Sequence, residues 1–119
     1  MSSATAGPDK AERLATLKAF DEAVNMAPAA LQRWLQTPQS QAVGFTREGE
    51  DESVGHRSGQ RIVDLLHKRQ AELSDDDLAH MHKVVGYVHR HLAQRPEGDV
   101  RDTRGRHSLM NWGHDPLKA

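Results

Sequence analysis

Residues 74–92 read SDDDLAHMHKVVGYVHRHL, and their pattern decides the fold class. Ser74 can cap a helix with its hydroxyl, and Asp75, Asp76 and Asp77 crowd acids into the first turn, where the backbone dipole favours them. Behind them Leu78, Met81, Val85, Val88 and Leu92 step by three and four residues. That spacing draws one apolar stripe along an α-helix. Pro96 cannot continue the pattern, so the helix stops before it. Such a seam is buried only if other helices cover it.

Those helices are readable on both sides. From Asp9 onward, Leu14, Leu17, Phe20 and Val24 recur at helical spacing, with Asp9 and Glu12 near the start and Asn25 as a stop. Pro28 suits the first position of a short second helix, whose Leu31, Trp34 and Leu35 share one face. Thr37-Pro38 repeats the start signal for a turn or two, up to Val43-Gly44. The stretch FTREGEDESVGHRSGQ, 45–60, has no periodicity and many Gly, Glu and Ser residues, so a mobile loop is expected around 45–56. A helix from Ser58 to Gln70 follows, turning Ile62, Leu65 and Leu66 inward. EGDVRDTRG, 97–105, reads as a loop, and SLMNW, 108–112, as a last short helix. No hairpin dipeptide, sustained alternation or internal repeat occurs. The expectation is an all-α protein: a compact bundle of four to five helices forming one domain over 9–119, behind a disordered tail at 1–8.

Composition narrows the function classes. Apolar residues make up 36% of the 119 and aromatics 4%, so the core is thin. The absence of cysteine excludes disulfides and thiolate metal sites. No apolar run reaches the roughly 18 residues of a membrane span, and no basic-then-apolar leader opens the chain, so a cytoplasmic location without membrane partners is expected. The net charge of −1 gives no global steering toward polyanions. It is unevenly spread: residues 1–52 hold 5 Lys/Arg against 8 Asp/Glu, and 53–119 hold 11 against 9 together with all 8 histidines.

Catalytic signatures are missing. There is no cysteine nucleophile, no Gly-x-Ser-x-Gly elbow and no phosphate-cradling glycine loop, and helix capping accounts for the Asp75–Asp77 run. A non-enzymatic protein without cofactor is expected. The pairs His80/His82 and His89/His91 are spaced i, i+2 and point apart on a helix, whereas chelation favours i, i+4. His82 and His89 flank the seam at equivalent positions. No metal ligand is assigned, although His67 or His114 with Asp115 would have to complete any such site.

Two basic clusters remain. GHRSGQR, 55–61, opens the helix beginning near Ser58, where free backbone N–H groups beside Arg57, Ser58 and Arg61 suit a phosphate. Lys68 and Arg69 lie further along it. Arg101, Arg104, Arg106 and His107 precede SLMNW, within reach of Arg90 and Arg95. If folding gathers both clusters on one acid-free surface, DNA backbone binding with little sequence preference follows, carried by Arg57, Ser58, Arg61, Lys68, Arg69, Arg104 and Arg106. The alternative from another class is protein–protein contact or self-association through the apolar seam, without nucleic acid.

The segments ESVGHRSGQRIV (52–63), KVVGYVHRHLAQRPEGD (83–99) and SLMNWGHDPLK (108–118) together resemble a family of small bacterial proteins of unknown function. The likeness runs from about Phe20 to Lys118. Some members of that family carry a general DNA-binding label, so the resemblance implies DNA association without implying a mechanism. Two positions depart from it: Gly105 stands where relatives often carry tryptophan, and Ala27 where a Ser or Thr would cap the second helix. The first departure weakens a stacking role at that position.

SLMNWGHDP, 108–116, has two readings. In the favoured one Leu109, Met110 and Trp112 close the core, Gly113 adopts a left-handed cap and Asp115-Pro116 turns the chain away. In the other, Trp112 and His114 stay exposed beside the arginines as a contact surface. Asn111 and His114 are either hydrogen-bonded locally or kept for a ligand.

Overall fold

The computed structural model describes residues 10–43, 53–93 and 104–117. Ser74 does cap the long helix. Its hydroxyl accepts from the Asp77 amide at 3.0 Å, while the Asp77 carboxylate accepts from the Ser74 amide at 3.1 Å. The helix that follows, α5, runs Asp75–Ala93. Before it come α1 (Lys10–Ala23), α2 (Pro28–Leu35), α3 (Pro38–Ala42) and α4 (Val54–Leu66), with a short 3-10 turn at Gln70–Glu72; α6 (Arg104–Asn111) follows it. Among the described residues there are no strands. The protein is all-α, with five helices of eight residues or more among the described residues. No helix among those residues is long and apolar enough to cross a membrane.

The proline starts hold at Pro28 and Pro38. Thr37 caps α3 by accepting from the Ser40 amide at 3.1 Å, whereas Ala27 offers α2 no side-chain cap. Four boundaries or positions correct the sequence reading. Helix α4 begins at Val54 rather than Ser58, capped by Ser53, whose hydroxyl accepts from His56 at 3.0 Å. Residues 53–56 of the expected loop are therefore ordered helix start. The same helix ends at Leu66, with only the 3-10 turn near Gln70. Helix α6 begins at Arg104, inside the stretch read as loop. On α5 the buried stripe is Leu78, Met81, Val84 and Val88; Val84 is fully buried, while Val85 and Leu92 are only partly so. The expected tail at 1–8, the loop over 44–52, the stop at Pro96 and residues 97–103 lie outside the described residues.

Two helix pairs organise the core. Helix α1 packs along α5, bringing Phe20 and Ala23 against that chain's apolar stripe; α2 packs along α4 through Leu31, Leu35 and Ile62. Gly59 makes the second pairing close, and Gly55 does the same for the contact of α4 with the turn after α6. A Cβ on Gly59 would lie 2.6 Å from Leu35 Cδ2 and collide with the Asn111 carbonyl oxygen, and one on Gly55 would lie 2.9 Å from Trp112 Nε1. Glycines that look like breakers in sequence are here the contact face of a helix.

The segment after α6 joins the two pairs. Gly113 has φ 82°, with Gly113 N donating to the Met110 carbonyl at 2.9 Å and His114 N to that of Leu109 at 3.0 Å, a Schellman cap. Leu109 and Trp112 are buried, so the core-closing reading of SLMNW stands and the exposed-tryptophan reading falls. His114 Nδ1 bonds the Ala23 carbonyl at 2.7 Å, and the Asn25 side chain exchanges two hydrogen bonds with the Asp115 backbone. Asn111, fully buried, accepts from Trp34 Nε1 at 2.7 Å and from Ser40. Both polar residues of this turn are thus committed to structure.

Candidate functional site

Helices α4 and α5 are bridged by side chains rather than by close backbone packing. Between them lies an open cleft of about 180 Å³ lined by Val54, Arg57, Ser58, Arg61, His80, Lys83 and Trp112. Its geometry follows from helix periodicity. Positions 54, 57, 58 and 61 fall on one face of α4, and 80 and 83 on one face of α5. Trp112, delivered by the turn after α6, closes the inner end.

The indole is fixed by a row of rings along α5. Tyr87 stacks on it with centroids 4.1 Å apart and is itself stacked by His91 at 3.9 Å, while His80 lies near-parallel to the indole at 6.3 Å. Burial pushes the Tyr87 phenol upward and the His91 imidazole downward, the latter with the help of Arg90. These rings are neutral packing surfaces at pH 7.

One polar pair spans the cleft. Ser58 Oγ lies 2.9 Å from His80 Nε2. Burial first, then the charges of Arg61 and Lys83, push this imidazole down to about 4, against the pull of Asp77. The pair looks like the first two members of a nucleophile–base relay, but the neighbouring acid is engaged elsewhere. Asp77, 6% exposed, accepts from Lys68 at 2.9 Å, from Arg61 at 3.4 Å and from the Ser74 amide. The Lys68 hydrogen bond above all, then Ser74 and Arg61, hold its carboxyl far below the usual carboxylate range, despite burial. An imidazole so weakly basic, whose neighbouring acid Asp77 is held by Lys68, Arg61 and the Ser74 amide, is poorly suited to activate a hydroxyl.

The sequence-predicted site residues divide. Arg57, Ser58 and Arg61 line the cleft together. Lys68 lies beyond α4, tied to Asp77, and Arg69 is exposed, its amide donating to Glu72 at 2.9 Å. Arg106 forks onto Asp115 with two 3.1 Å hydrogen bonds. Burial pushes the Asp115 carboxyl up, but Arg106 and the Leu117 amide outweigh it and the net shift is downward. The Arg104 side chain lies outside the described residues. An acid-free surface shared by both basic clusters is therefore not what forms: Asp77 and Asp115 each neutralise part of it. Sequence reading missed Lys83 and Val54, weighed His80 only as a metal ligand, and placed Trp112 beside the arginines only as an exposed residue. The i, i+3 spacing of His80 and Lys83, off the buried stripe, was the available signal.

The histidines do not assemble a metal centre: no group of three or more His, Asp or Glu among the described residues is placed to hold an ion. His56 is buried with Nε2 2.6 Å from the Leu35 carbonyl, and His67 Nδ1 bonds the Val63 carbonyl at 2.9 Å.

The family model described as "Protein of unknown function (DUF3140)" matches residues 19–110. No curated protein and no solved structure matches the chain.

Proposed function

The chain belongs to the DUF3140 family of proteins of unknown function, and we propose that it acts in the cytoplasm as a non-enzymatic, nucleic-acid-associated protein. It holds phosphate groups at the α4–α5 cleft with little sequence preference. The observation that supports this reading is the gathering of Arg57, Arg61 and Lys83 around one opening. Two helices supply them, so the cluster is a product of folding rather than of local sequence. Cations presented by side chains on rigid helices bind phosphate oxygens without reading bases.

Titration of a fluorescent duplex tests it. Each neutralised phosphate contributes about −0.9 to the slope of log affinity against log salt, so three contacts give about −2.7, roughly a 40-fold loss between 50 and 200 mM. Lys83→Glu and Arg57→Glu, both at exposed positions, weaken binding and flatten that slope while leaving the helical circular dichroism unchanged. Absence of binding at micromolar protein in low salt removes the reading.

A second reading, self-association without nucleic acid, is favoured by a different face. Leu14 on α1 is 55% exposed, a large apolar side chain turned to solvent. A concentration-dependent dimer by light scattering, abolished by Leu14→Glu, would establish it.

A further inference from the structure

We infer that the α4–α5 cleft seats a single nucleotide unit of pyrimidine size, its phosphate against Arg57, Arg61 and Lys83 and its ring against Val54 and Trp112. The inference rests on the phosphate reading above and deepens it by naming what enters the cleft.

The dimensions favour one ring. An apolar cavity of about 150 Å³ accommodates benzene, and this open cleft measures about 180 Å³, so it takes the base while the ribose and phosphate lie at its mouth. A duplex can present its phosphates only to the cationic mouth, and a bare phosphate likewise leaves the inner end unfilled. That inner end is the wrong surface for an inorganic anion. It is made by the Val54 side chain and the indole, with the cations nearer the mouth: Arg57 and Lys83 are exposed, whereas Trp112 is 4% exposed. An amphiphilic ligand with a charged head and a flat apolar body matches this gradient.

The ring meets the free margin of the indole rather than stacking on it. Tyr87 occupies one face at 4.1 Å, and His80 lies over the ring system at 6.3 Å. Between apolar end and cationic mouth sit the Ser58 hydroxyl and the His80 imidazole, 2.9 Å apart. With the imidazole neutral at pH 7, this pair offers an uncharged donor and acceptor to the polar edge of a heterocycle. Ser58 is 4% exposed and lines the cleft, so its hydroxyl is reached only from within it.

The shared chemistry, a pyrimidine carrying a phosphomonoester, has two sources: a free mononucleotide or the phosphorylated end of a strand. Isothermal titration of the full chain at low salt separates the parts. Uridine 5′-monophosphate is expected to bind at least tenfold more tightly than inorganic phosphate, than uridine, and than adenosine 5′-monophosphate. Lys83→Glu should abolish that preference. Equal affinity for uridine monophosphate and inorganic phosphate overturns the inference. So does binding of a fluorescent duplex without measurable binding of the mononucleotide, a result that leaves the phosphate reading standing. Failure of both removes both. A 5′-phosphorylated oligouridylate that binds more tightly than the mononucleotide, and is displaced by it, supports the site and assigns it to strand ends; the reverse order supports the site and assigns it to the free nucleotide.

Discussion

Asn111 holds Ser40 twice: its carboxamide oxygen accepts the Ser40 hydroxyl, and its nitrogen donates to the Ser40 carbonyl at 2.9 Å. Both residues are fully buried, and Trp34 Nε1 adds a third hydrogen bond at 2.7 Å. This network fastens the end of α6 to α2 and α3. Asn111→Leu would leave two donors and a carbonyl buried and unpaired, at about 1–3 kcal/mol for each group left unsatisfied. The expected outcome is a loss of about 3 kcal/mol in urea unfolding, with Trp34 fluorescence reporting the disturbed partner.

The glycines of α4 and α5 should respond with opposite signs. Gly59→Ala places a methyl group 2.6 Å from Leu35 Cδ2 and against the Asn111 carbonyl. Overpacking of this kind costs about 1–3 kcal/mol, more than the roughly 1 kcal/mol gained in helix propensity. At Gly86 the new Cβ meets only the Arg90 guanidinium, at 3.2 Å and free to move. Gly86→Ala therefore stabilises by about 0.5–1 kcal/mol. Thermal melts of the two variants beside the parent check both directions.

Stability falls as pH drops below neutrality. His80 stays neutral in the folded chain down to about 4, while its ordinary value is 6.5, so the unfolded chain takes up the proton first. Its contribution is complete above pH 6.5 and is lost between there and pH 4, amounting to about 3 kcal/mol before solvent screening of this half-buried ring and about 2 kcal/mol after it. Asp77 acts lower. With its carboxyl held below the ordinary 3.8, its contribution is present above that pH and fades beneath it. His80→Gln should remove most of the upper step, the remainder belonging to His91, and leave the lower one, in melting temperatures recorded from pH 7.5 to 3.

Asp77→Asn should separate stability from anion affinity. It weakens the capping bond to the Ser74 amide and the ion pairs with Lys68 and Arg61. Both cations are about 40% exposed (41% and 42%), so solvent screens much of that interaction. A loss of about 1–2 kcal/mol is expected, mostly from the cap. Removal of the acid beside Arg61 should at the same time tighten anion binding at the cleft severalfold. Parallel urea and salt-dependent titration curves read the two effects.

Helix α5 was legible because its signals are local: a capping serine, three acids and an apolar period all lie within one stretch. Proline at Pro28 and Pro38, and glycine at Gly113, were legible for the same reason. The start of α4 was not, since Gly55 and Gly59 act through contacts with Trp112 and Leu35 that a chain order does not display. Val84 displaced Val85 in the core because α1 packs on α5 along a line set by tertiary contact. At the cleft, Arg57, Ser58 and Arg61 could be named from one helix. Lys83 and His80 come from another, and their convergence depends on the turn that connects the two. The acids that mask Arg106 and Lys68 were visible as residues but not as partners.

The latch made by Asn25, His114 and Asp115 spans about ninety positions of chain, since Asn25 and Asp115 are 90 apart and Ala23 and His114 91. A polypeptide growing from its amino end has made α1 to α5 long before the segment that ties them together exists. Until then α4 and α5 lack the indole that fills the space between them, and apolar surface on both remains open to other molecules. The described fold is thus complete only once residues 112–115 have joined helices made before them.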